Sequence, residues 1–450
     1  MITGKIKSKY IVNDIRFNSG YFLNEDAVNS RSLEENRDKC TPLDAIATVW
    51  NPPIFKRQFC QKTERAIPYC QSSDVTNALE GSDVYINKIQ ATKVGSVVEE
   101  NQILVTGFGT IGNTRLINEL SAGISYANNC CRIQANEDKL FGYIYAVMTS
   151  KYGRSQLNKN ASGSVVRYIE APGIKKTLIP NLPEPKQQEI HKLIVEASNL
   201  RVEANKLLRE AVKLMEEKLP SIEFRSIYKA KISARINHNS RIEATYNTNS
   251  IEGFYKALEQ SNTELRSISE LSQQVFTPGI FKRIRTNNFE KGIPFLSGSD
   301  LLKQYPAFNS FLSRKMKNID NYILHNGWLA IQDAGTIGYL SYITKFLDGV
   351  SATNNLVRVV PNEDCNKNYY IYCFLKTKVG QKLLKSLEYG SVQKHIDNHQ
   401  VSDFLVPIFD DIEGQISIKV KKCMDNLSDA CFMEKKAIDL VDKEIESWQK

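Results

Sequence analysis

Two long stretches of the chain place hydrophobic residues at alternating spacings of three and four, the pattern of a coiled-coil helix. The first covers residues 186–219 and contains neither proline nor glycine. Pro183 and Pro185 precede it, where proline suits a helix start, and Pro220 ends it. The pattern predicts a spacer helix over residues 183–219, with the apolar line Ile190, Leu193, Ala197, Leu200, Ala204, Leu207, Ala211 and Leu214.

The second stretch, from Ile412 to Trp448, repeats this plan with a weaker apolar line, because Glu434 interrupts it. A lone helix with one such seam is not stable in water, so we expect the two helices to pair as an antiparallel coiled coil. The alternative is that each packs onto its own globular part or onto another chain. The second helix is predicted over residues 410–450, with the line Val420, Met424, Leu427, Cys431, Ile438, Val441 and Ile445.

Shorter patterns fill the rest of the chain. Apolar runs at 102–105 and 329–331 precede glycine turns and indicate strands, whereas residues 142–157 and 369–384 are typical of amphipathic helices. The mixture predicts domains of the α/β (α+β) class.

The two halves of the chain also repeat each other in sequence. Ile54–Arg57 returns at 280–283 and Gly109–Gly112 at 335–338, and the Gly-Ser-Val triplet at 163–165 returns at 390–392. A repeat this long is a domain with its helix rather than a stacking unit. We therefore expect two similar domains related by an approximate twofold axis. The predicted order is domain 1 (1–182), central spacer helix (183–219), domain 2 (220–409) and distal spacer helix (410–450).

Composition narrows the class of protein. At 450 residues, 42% hydrophobic and 24% charged, the chain resembles ordinary globular proteins and needs no covalent staples. No run of the sequence is long and apolar enough to span a bilayer, and we expect a cytoplasmic protein. The nine cysteines lack paired C-x-x-C spacing and the five histidines are scattered. The sequence therefore predicts no metal site, no disulfide framework and buried, reduced thiols.

The net charge of +9 favours a polyanionic partner only weakly by itself. It gains weight because cations and hydroxyls recur beside turns at equivalent places in both copies, as phosphate binding by both would require. The candidate DNA-contacting residues are Lys56, Arg57, Thr110, Asn113, Arg115, Ser164 and Arg167 in the first copy, and Lys282, Arg283, Arg285, Thr336, Tyr339, Ser391, Gln393 and Lys394 in the second.

Next to these shared residues the two copies differ. The differing pairs are Gln58 and Ile284, Phe59 and Arg285, Asn113 and Tyr339, Arg115 and Ser341, and Tyr168 and His395. A shared scaffold with altered side chains suits two readers of different DNA sequences, because individual donors and acceptors discriminate base edges. Ordinary surface drift explains any single position equally well.

Two motifs that would suggest an enzyme are better explained as turns or loops. Residues 107–112 read GFGTIG, but residues 113–117 predict a strand where a dinucleotide-binding loop opens a helix, and Asp333 replaces the first glycine in the second copy. A tight hairpin-like turn explains the glycines better. Residues 51–54 read NPPI, yet isoleucine cannot stack on a flipped base as the aromatic residue of methyltransferases does. The sequence contains none of the common nuclease or nucleotide-hydrolase motifs.

With these features together, the chain resembles the specificity (S) subunits of type I restriction–modification systems over nearly its whole length. The carriers of the resemblance are the domain–helix–domain–helix order and the short motifs repeated in both halves. The motifs are Gly-Thr-Ile-Gly at 109–112 and 335–338, Asn-Asn at 128–129 and 354–355, Gly-Ser-Val at 163–165 and 390–392, the approach Ile-Pro-x-Leu-Pro-x-Pro-x-Gln-Gln-x-Ile at 179–190, and the openings Arg16-Phe17 with Tyr21 and Arg241-Ile242 with Tyr246. The second copy departs at 406–411, where the second proline pair is missing.

The resemblance implies a non-catalytic DNA-recognition subunit. Each globular part would be a target-recognition domain reading half of a bipartite, asymmetric site on double-stranded DNA, and the helices would set the spacing. The partners implied are methyltransferase (M) subunits, two in number, and restriction/translocase (R) subunits. S-adenosylmethionine, ATP and Mg²⁺ would belong to those partners, with no cofactor on this chain.

Two other interpretations stay open at the level of sequence. One is a specificity subunit in a type IIB or other phage-defence methyltransferase complex. The other is a stand-alone DNA methyltransferase or nuclease whose catalytic residues fit no recognised motif.

Overall fold

The computed structural model describes residues 5–14, 22–163, 166–221, 249–286, 289–335, 337–363, 366–390 and 393–448. They form two compact units, residues 1–202 with 430–450 (unit 1) and residues 203–429 (unit 2). Each unit thus contains one globular part together with portions of both long helices.

The helices and strands are numbered along the chain. The helices are α1 (Ser8–Asp14), α2 (Glu25–Glu35), α3 (Lys88–Lys93), α4 (Phe141–Thr149), α5 (Lys151–Asn160), α6 (Ala171–Lys175), α7 (Glu184–Lys218), α8 (Asn249–Gln260), α9 (Ile268–Leu271), α10 (Asn366–Lys376), α11 (Lys378–Ser386), α12 (Asn398–Ser402) and α13 (Asp410–Ser447). The strands are β1 (Cys40–Pro42), β2 (Ala47–Trp50), β3 (Phe59–Cys60), β4 (Ala66–Cys70), β5 (Tyr85–Asn87), β6 (Ile103–Thr106), β7 (Thr114–Leu116), β8 (Ser125–Tyr126), β9 (Cys130–Ala135), β10 (Leu178–Pro180), β11 (Glu264–Ser267), β12 (Ser272–Phe276), β13 (Gly292–Leu296), β14 (Phe311–Ser313), β15 (Leu329–Gln332), β16 (Leu340–Tyr342), β17 (Ser351–Ala352), β18 (Leu356–Pro361) and β19 (Leu405–Ile408).

The sheets of the two units have matching topologies. Unit 1 contains a four-stranded antiparallel sheet in the order β2-β9-β6-β7, and unit 2 contains the equivalent sheet β12-β18-β15-β16. A second sheet pairs β4 with β8 in parallel, and unit 2 pairs β13 with β17 in the same way. The shared strand order confirms the α/β class and shows that the sequence repeat is a repeat of fold.

The predicted amphipathic helices are each broken in two. Ser150 caps the second piece in unit 1 by accepting from the amide of Gly153 at 3.1 Å, and Thr377 accepts from Gly380 at 2.9 Å in unit 2. A Cβ on either glycine would lie within about 2 Å of a carbonyl oxygen of the preceding helix. The prediction of single helices was therefore wrong, because a capping hydroxyl and a glycine three residues later mark a new helix start.

In unit 1 the first part of α7 packs against the last part of α13. Lys186 pairs with Glu444, and Arg201, further along α7, pairs with Glu434, so the two segments run antiparallel. Their apolar side chains join the core formed by α4 and the main sheet. The helix residues in that core are Ile190, Ile194, Ala437, Val441 and Ile445.

Unit 2 repeats this arrangement with the other parts of the same helices. Lys218 pairs with Asp411, and Glu203 pairs with Lys422, which again gives antiparallel segments. Buried seam residues of this part include Leu208, Met215, Val420 and Met424.

The seam of α7 differs in detail from the predicted one. Ile190, Ala197, Ala204 and Ala211 are buried, but the positions between them are filled one residue later than predicted, by Ile194, Arg201, Leu208 and Met215. The leucines that the prediction placed in the seam are half-buried at its flank: Leu193, Leu200, Leu207 and Leu214. Both sets of positions keep a heptad spacing. The leucines led to the prediction of the set that lies at the flank of the seam. On α13 the predicted residues Val420, Met424, Cys431, Ile438, Val441 and Ile445 are buried and Leu427 is half-buried.

Glu434, the residue that interrupts the second seam, forms a buried ion pair. Its Oε2 accepts from Nη2 of Arg201, and its Oε1 accepts from the hydroxyl of Tyr145 on α4 at 2.8 Å. The side chains of Arg201 and Glu434 are 6% and 0% exposed. Burial alone would lower the pKa of Arg201, but the carboxylate of Glu434 raises it above its ordinary value. Burial and the same carboxylate raise the pKa of Tyr145. The interruption is therefore a matched polar contact inside an otherwise apolar seam.

We predict that Glu434→Ala destabilises the chain strongly, because it leaves the Arg201 guanidinium buried without a counter-charge. The expected loss of unfolding free energy is about 3–5 kcal/mol. The double variant Arg201→Met with Glu434→Leu should lose much less, since both charges are then gone. Urea unfolding of the full chain measures both. Glu203→Ala, which removes an exposed pair with Lys422, is the control. A Glu434→Ala variant as stable as that control would contradict the prediction.

Candidate nucleic-acid interface

Three of the repeated motifs meet at one backbone junction in each unit. In unit 1 the amide of Gly107 donates to the carbonyl of Asn129 at 2.9 Å, and the carbonyl of Gly107 accepts from Ile169 at 2.8 Å. In unit 2 the amide of Asp333 donates to Asn355 at 3.5 Å, and its carbonyl accepts from Ile396 at 3.0 Å. The glycine turn, the Asn-Asn pair and the Gly-Ser-Val turn are thereby brought together. We call this arrangement the loop cluster of each unit.

The first member of the loop cluster is the Gly-Thr-Ile-Gly turn between antiparallel strands β6 and β7, or β15 and β16. Both glycines of each turn have positive φ, from 73° to 82°. In unit 1 the hydroxyl of Thr106 closes the turn by donating to the carbonyl of Thr110 at 2.5 Å and accepting from the amide of Asn113 at 3.0 Å. The predicted hairpin is confirmed, and a strand rather than a helix follows it.

The second member is the segment that carries the Gly-Ser-Val motif. Ser162 and Tyr168 exchange two backbone hydrogen bonds at 2.8 and 2.9 Å, and Tyr389 and His395 exchange two at 2.9 Å. Gly163 and Gly390 have φ of 90° and 98°, a backbone region that residues with a side chain rarely adopt. Ser164 and Ser391 lie outside the described residues, as do Thr336 of the other turn and the motifs at Arg16, Tyr21, Arg241 and Tyr246.

The third member, the Asn-Asn pair, is held from below by an arginine that the sequence reasoning missed. Arg132 is buried and donates to the carbonyls of Ala127 at 3.0 Å and Tyr126 at 2.8 Å. Arg358 is buried at the equivalent place and donates to the carbonyls of Thr353 at 3.1 Å and Leu356 at 2.9 Å. Burial lowers the pKa of both guanidinium groups to about 10. The signal was present in the sequence, because both arginines keep the offset of the repeat.

The basic segments lie exposed beside the loop clusters. Lys56, Arg57, Lys282 and Arg283 are all exposed. The guanidinium of Arg57 lies over the ring of Tyr69, with 5.5 Å to its centroid, and that of Arg283 lies over the equivalent ring of Phe295, at 5.0 Å. Arg283 also donates to Thr353 Oγ1 at 3.3 Å, next to the Asn-Asn pair. A stacked arginine keeps its charge available and loses less freedom on binding an anion.

Most of the other candidates are also accessible. The structure exposes Thr110, Arg167, Arg285, Tyr339, Gln393 and Lys394, and half-buries Asn113. Arg285 donates to Ser310 Oγ at 2.9 Å, and the amino group of Lys385 lies 5.9 Å from the centre of the Tyr339 ring. In unit 1 the rings of Phe108 and Tyr168 stack at 5.5 Å, and both are 37% exposed. This aromatic platform was not among the predicted residues.

Arg115 is the candidate that the structure removes. It is 1% exposed, forms an ion pair with the buried Glu80, and donates to the carbonyls of Val75 at 3.0 Å and Asn77 at 2.9 Å. Burial would lower its pKa, but Glu80 raises it above the ordinary value. Arg115 is buried because both faces of β7 are covered, so that Thr114, Arg115 and Leu116 are all buried.

The difference between Arg115 and Ser341 is therefore internal. Ser341 Oγ donates to the carbonyl of Leu301 at 3.0 Å, and Leu301 is the counterpart of Val75 in the repeat. Two different side chains thus hold the same turn in the two units. The difference at this position is therefore not displayed at the surface.

Within the described part of the chain, no group of three or more His, Cys, Asp or Glu side chains could hold a metal ion. The described helices also include none that is long and apolar enough to cross a membrane.

The chain belongs to the family defined by the type I restriction modification DNA specificity domain, whose model matches residues 41–214 and 260–426. Both copies of the repeat are matched, and together they cover more than half of the chain. Among curated proteins, none is similar enough in sequence to count as a relative.

Solved structures of similar proteins are distant. The S subunit of a type I restriction-modification system from M. genitalium is 15% identical, with 91% of this chain and 92% of that chain covered and a TM-score of 0.31. The HsdS subunit from Thermoanaerobacter tengcongensis is 12% identical, with 90% and 95% covered and a TM-score of 0.28. Membership of the family rests on the two matched segments and not on these likenesses.

We predict that the exposed basic segments, and not Arg115, determine the salt dependence of DNA binding. Replacing Lys282 and Arg283 by alanine should flatten the plot of log affinity against log salt by about one unit of slope for each phosphate that is no longer neutralised. Arg115→Ala should leave the slope unchanged and lower stability, because the buried carboxylate of Glu80 loses its counter-charge. Fluorescence anisotropy of a labelled duplex at several salt concentrations, beside urea unfolding, measures both. A smaller slope for Arg115→Ala would refute the assignment.

Asp333 gives the second loop cluster a pH dependence of its own. Burial raises its pKa to about 6, although His395 and Arg358 oppose the shift. A carboxyl group whose pKa is raised by folding stabilises the folded state at pH values below its ordinary pKa. This contribution is lost as the pH rises through about 6. The unfolding free energy of the wild type should therefore fall between about pH 4 and pH 6 relative to Asp333→Asn. Urea unfolding across this range is the measurement, with the exposed Asp320→Asn as control. Parallel curves for wild type and Asp333→Asn would contradict it.

Proposed function

We propose that the chain is the DNA-specificity subunit of a restriction–modification complex. It reads a bipartite, asymmetric site on double-stranded DNA and directs adenine methylation and cleavage by partner subunits. It catalyses neither reaction and carries no cofactor of its own. S-adenosylmethionine, ATP and Mg²⁺ belong to two methyltransferase subunits and to restriction/translocase subunits, and the complex works in the cytoplasm.

The observation that carries this proposal is a loop cluster built twice on the same backbone with different exposed side chains. Both units bring the same three motifs to one junction and hold the Asn-Asn pair with the same buried arginine. A backbone scheme kept in both copies is what a DNA-docking surface needs, because phosphate contacts position a protein without reading sequence.

The exposed differences around this common scheme are the second support. Position 113 is asparagine in unit 1 and its counterpart is Tyr339, which is 48% exposed. Phe59 is 62% exposed in unit 1, whereas its counterpart Arg285 carries a charge. Side chains of such different chemistry prefer different base edges, so two units of one fold would read different half-sites. An asymmetric site follows from that difference.

Charge placement is the third support. The cations of the basic segments are exposed in both units, and two of them are ordered over aromatic rings. Such groups neutralise phosphates and release condensed counterions.

The proposal predicts that the chain directs methylation only with its partner. When it is expressed with the methyltransferase encoded beside it in a host lacking other adenine methylation, genome-wide mapping should find one asymmetric motif in two parts. The chain expressed alone should methylate nothing. Methylation by the purified chain alone, or a motif independent of the chain, would overturn the proposal.

Single replacements at the rims sharpen the experiment. Tyr339→Asn should change or relax one half of the motif, and Asn113→Tyr should change the other half. Val28→Ala, an exposed position on helix α2, is the control and should leave both halves unchanged. If each rim replacement altered both halves, the units would not read separate half-sites.

A further inference from the structure

The most exposed hydrophobic side chains of the described residues occupy the same place in both copies. Ile54 is 88% exposed and Ile280 is 93% exposed. Each begins the Ile-Phe-Lys-Arg segment that returns in the repeat. Among the exposed large hydrophobic residues of the described ranges, they alone share both residue type and equivalent position in the two units. An exposed isoleucine at the same place in both units is what a surface role shared by the two units would require.

The residues on either side of each isoleucine are fixed. In unit 1 Phe55 packs against the apolar cluster around Tyr69, and Asn51 donates to the carbonyl of Asn128 at 3.1 Å and accepts from the amide of Ala171 at 2.9 Å. The isoleucine is therefore held outward on an anchored loop.

Gln90, on helix α3, holds the backbone of the same loop after Phe55. It donates to the carbonyl of Lys56 at 2.8 Å and accepts from the amide of Gln58 at 3.1 Å. The loop is thus tied down on both sides of its apolar tip.

Unit 2 achieves the same presentation with different contacts. Phe281 packs on Tyr322 with ring centroids 3.7 Å apart, and the hydroxyl of Tyr322 donates to the carbonyl of Gly279 at 3.0 Å. Arg283 then lies over the ring of Phe295. Two independent sets of contacts thus place an isoleucine at the tip and two cations soon after it.

The chemistry of this tip fits one occupant. An apolar group followed by exposed Lys56 and Arg57, or Lys282 and Arg283, matches a polyanion that also offers apolar surface between its charges, which is duplex DNA. Proteins that deform DNA insert apolar side chains, isoleucine included, between base pairs from the minor groove while cations hold the flanking phosphates. Because the residue is identical in both units, it serves a step common to both half-sites and does not read their sequence.

We propose that Ile54 and Ile280 are paired wedges, each inserted at a base step of one half-site and unstacking it. This inference rests on the proposed function, since it names how the loop of each unit engages DNA. The wedge contributes affinity through apolar contact, whereas the adjacent cations contribute it through charge. The two contributions therefore separate by their response to salt.

The first experiment measures binding of the full chain to a labelled mixed-sequence duplex over a range of salt. Ile54→Ala and Ile280→Ala should each weaken binding about tenfold with an unchanged salt slope. Leucine at either position should restore most of the affinity. Val28→Ala and Ile418→Ala, at exposed positions of α2 and α13, are controls in units 1 and 2. Alanine variants that bind as the controls do would overturn the wedge and point to a protein partner for the isoleucines.

The second experiment detects unstacking directly. With 2-aminopurine replacing each adenine of the mapped site in turn, the wild type should raise fluorescence at one step in each half. Ile54→Ala should abolish the rise in one half only, and Ile280→Ala in the other. If the wild type binds and methylates its site through its partner without any rise, the wedge is refuted and the proposed function stands. If the chain binds no DNA at any salt concentration, both fail.

Discussion

A buried guanidinium under the Asn-Asn pair is the interaction on which each loop cluster depends. Arg132 and Arg358 lie in the cores of their units and turn their donors onto main-chain carbonyls. A buried charge is costly unless its donors are hydrogen-bonded, so moving the carbonyls away from the guanidinium would be unfavourable. The junctions at Gly107 and Asp333 are built directly on these carbonyl-bearing loops. The loops that carry each junction are therefore positioned by a buried charge beneath them.

Because both copies of the repeat share one backbone scheme, exposed side chains around it can differ. Once the backbone is fixed from inside, a substitution at the rim changes what is displayed without changing how it is displayed. Arg115 and Ser341 show the complementary case, since they differ inside the unit and hold the equivalent turn. The two copies therefore differ both at exposed positions and at buried positions, and only solvent exposure distinguishes the two kinds.

The sequence predicts the features that depend on local spacing, and it does not predict those that depend on which surfaces are covered. Periodicity and the repeat predicted the two long helices, the mixed fold and the hairpin turn at Gly109–Gly112, because these depend on local spacing. The sequence alone does not predict that Arg115 is buried, because a short strand covered on both faces shows no alternation of apolar and polar residues. Sequence reasoning placed leucines in the seam of α7 because it could not see that Glu434 on α13 supplies a partner for Arg201.

The ion pair between Arg201 and Glu434 also links the two halves of the chain. Its partners stand 233 residues apart in the chain, one in each copy of the repeat. The equivalent positions in the other copies are Ser428 and Leu207, so the pair has no symmetric twin. A recombination event that replaced one half of the coding sequence would have to bring an acid to meet Arg201, or leave a charge stranded in the seam. Exchange of one half of the chain for another is therefore constrained by the buried contacts in the seam, this ion pair and the hydrogen bond from Tyr145 to Glu434 among them.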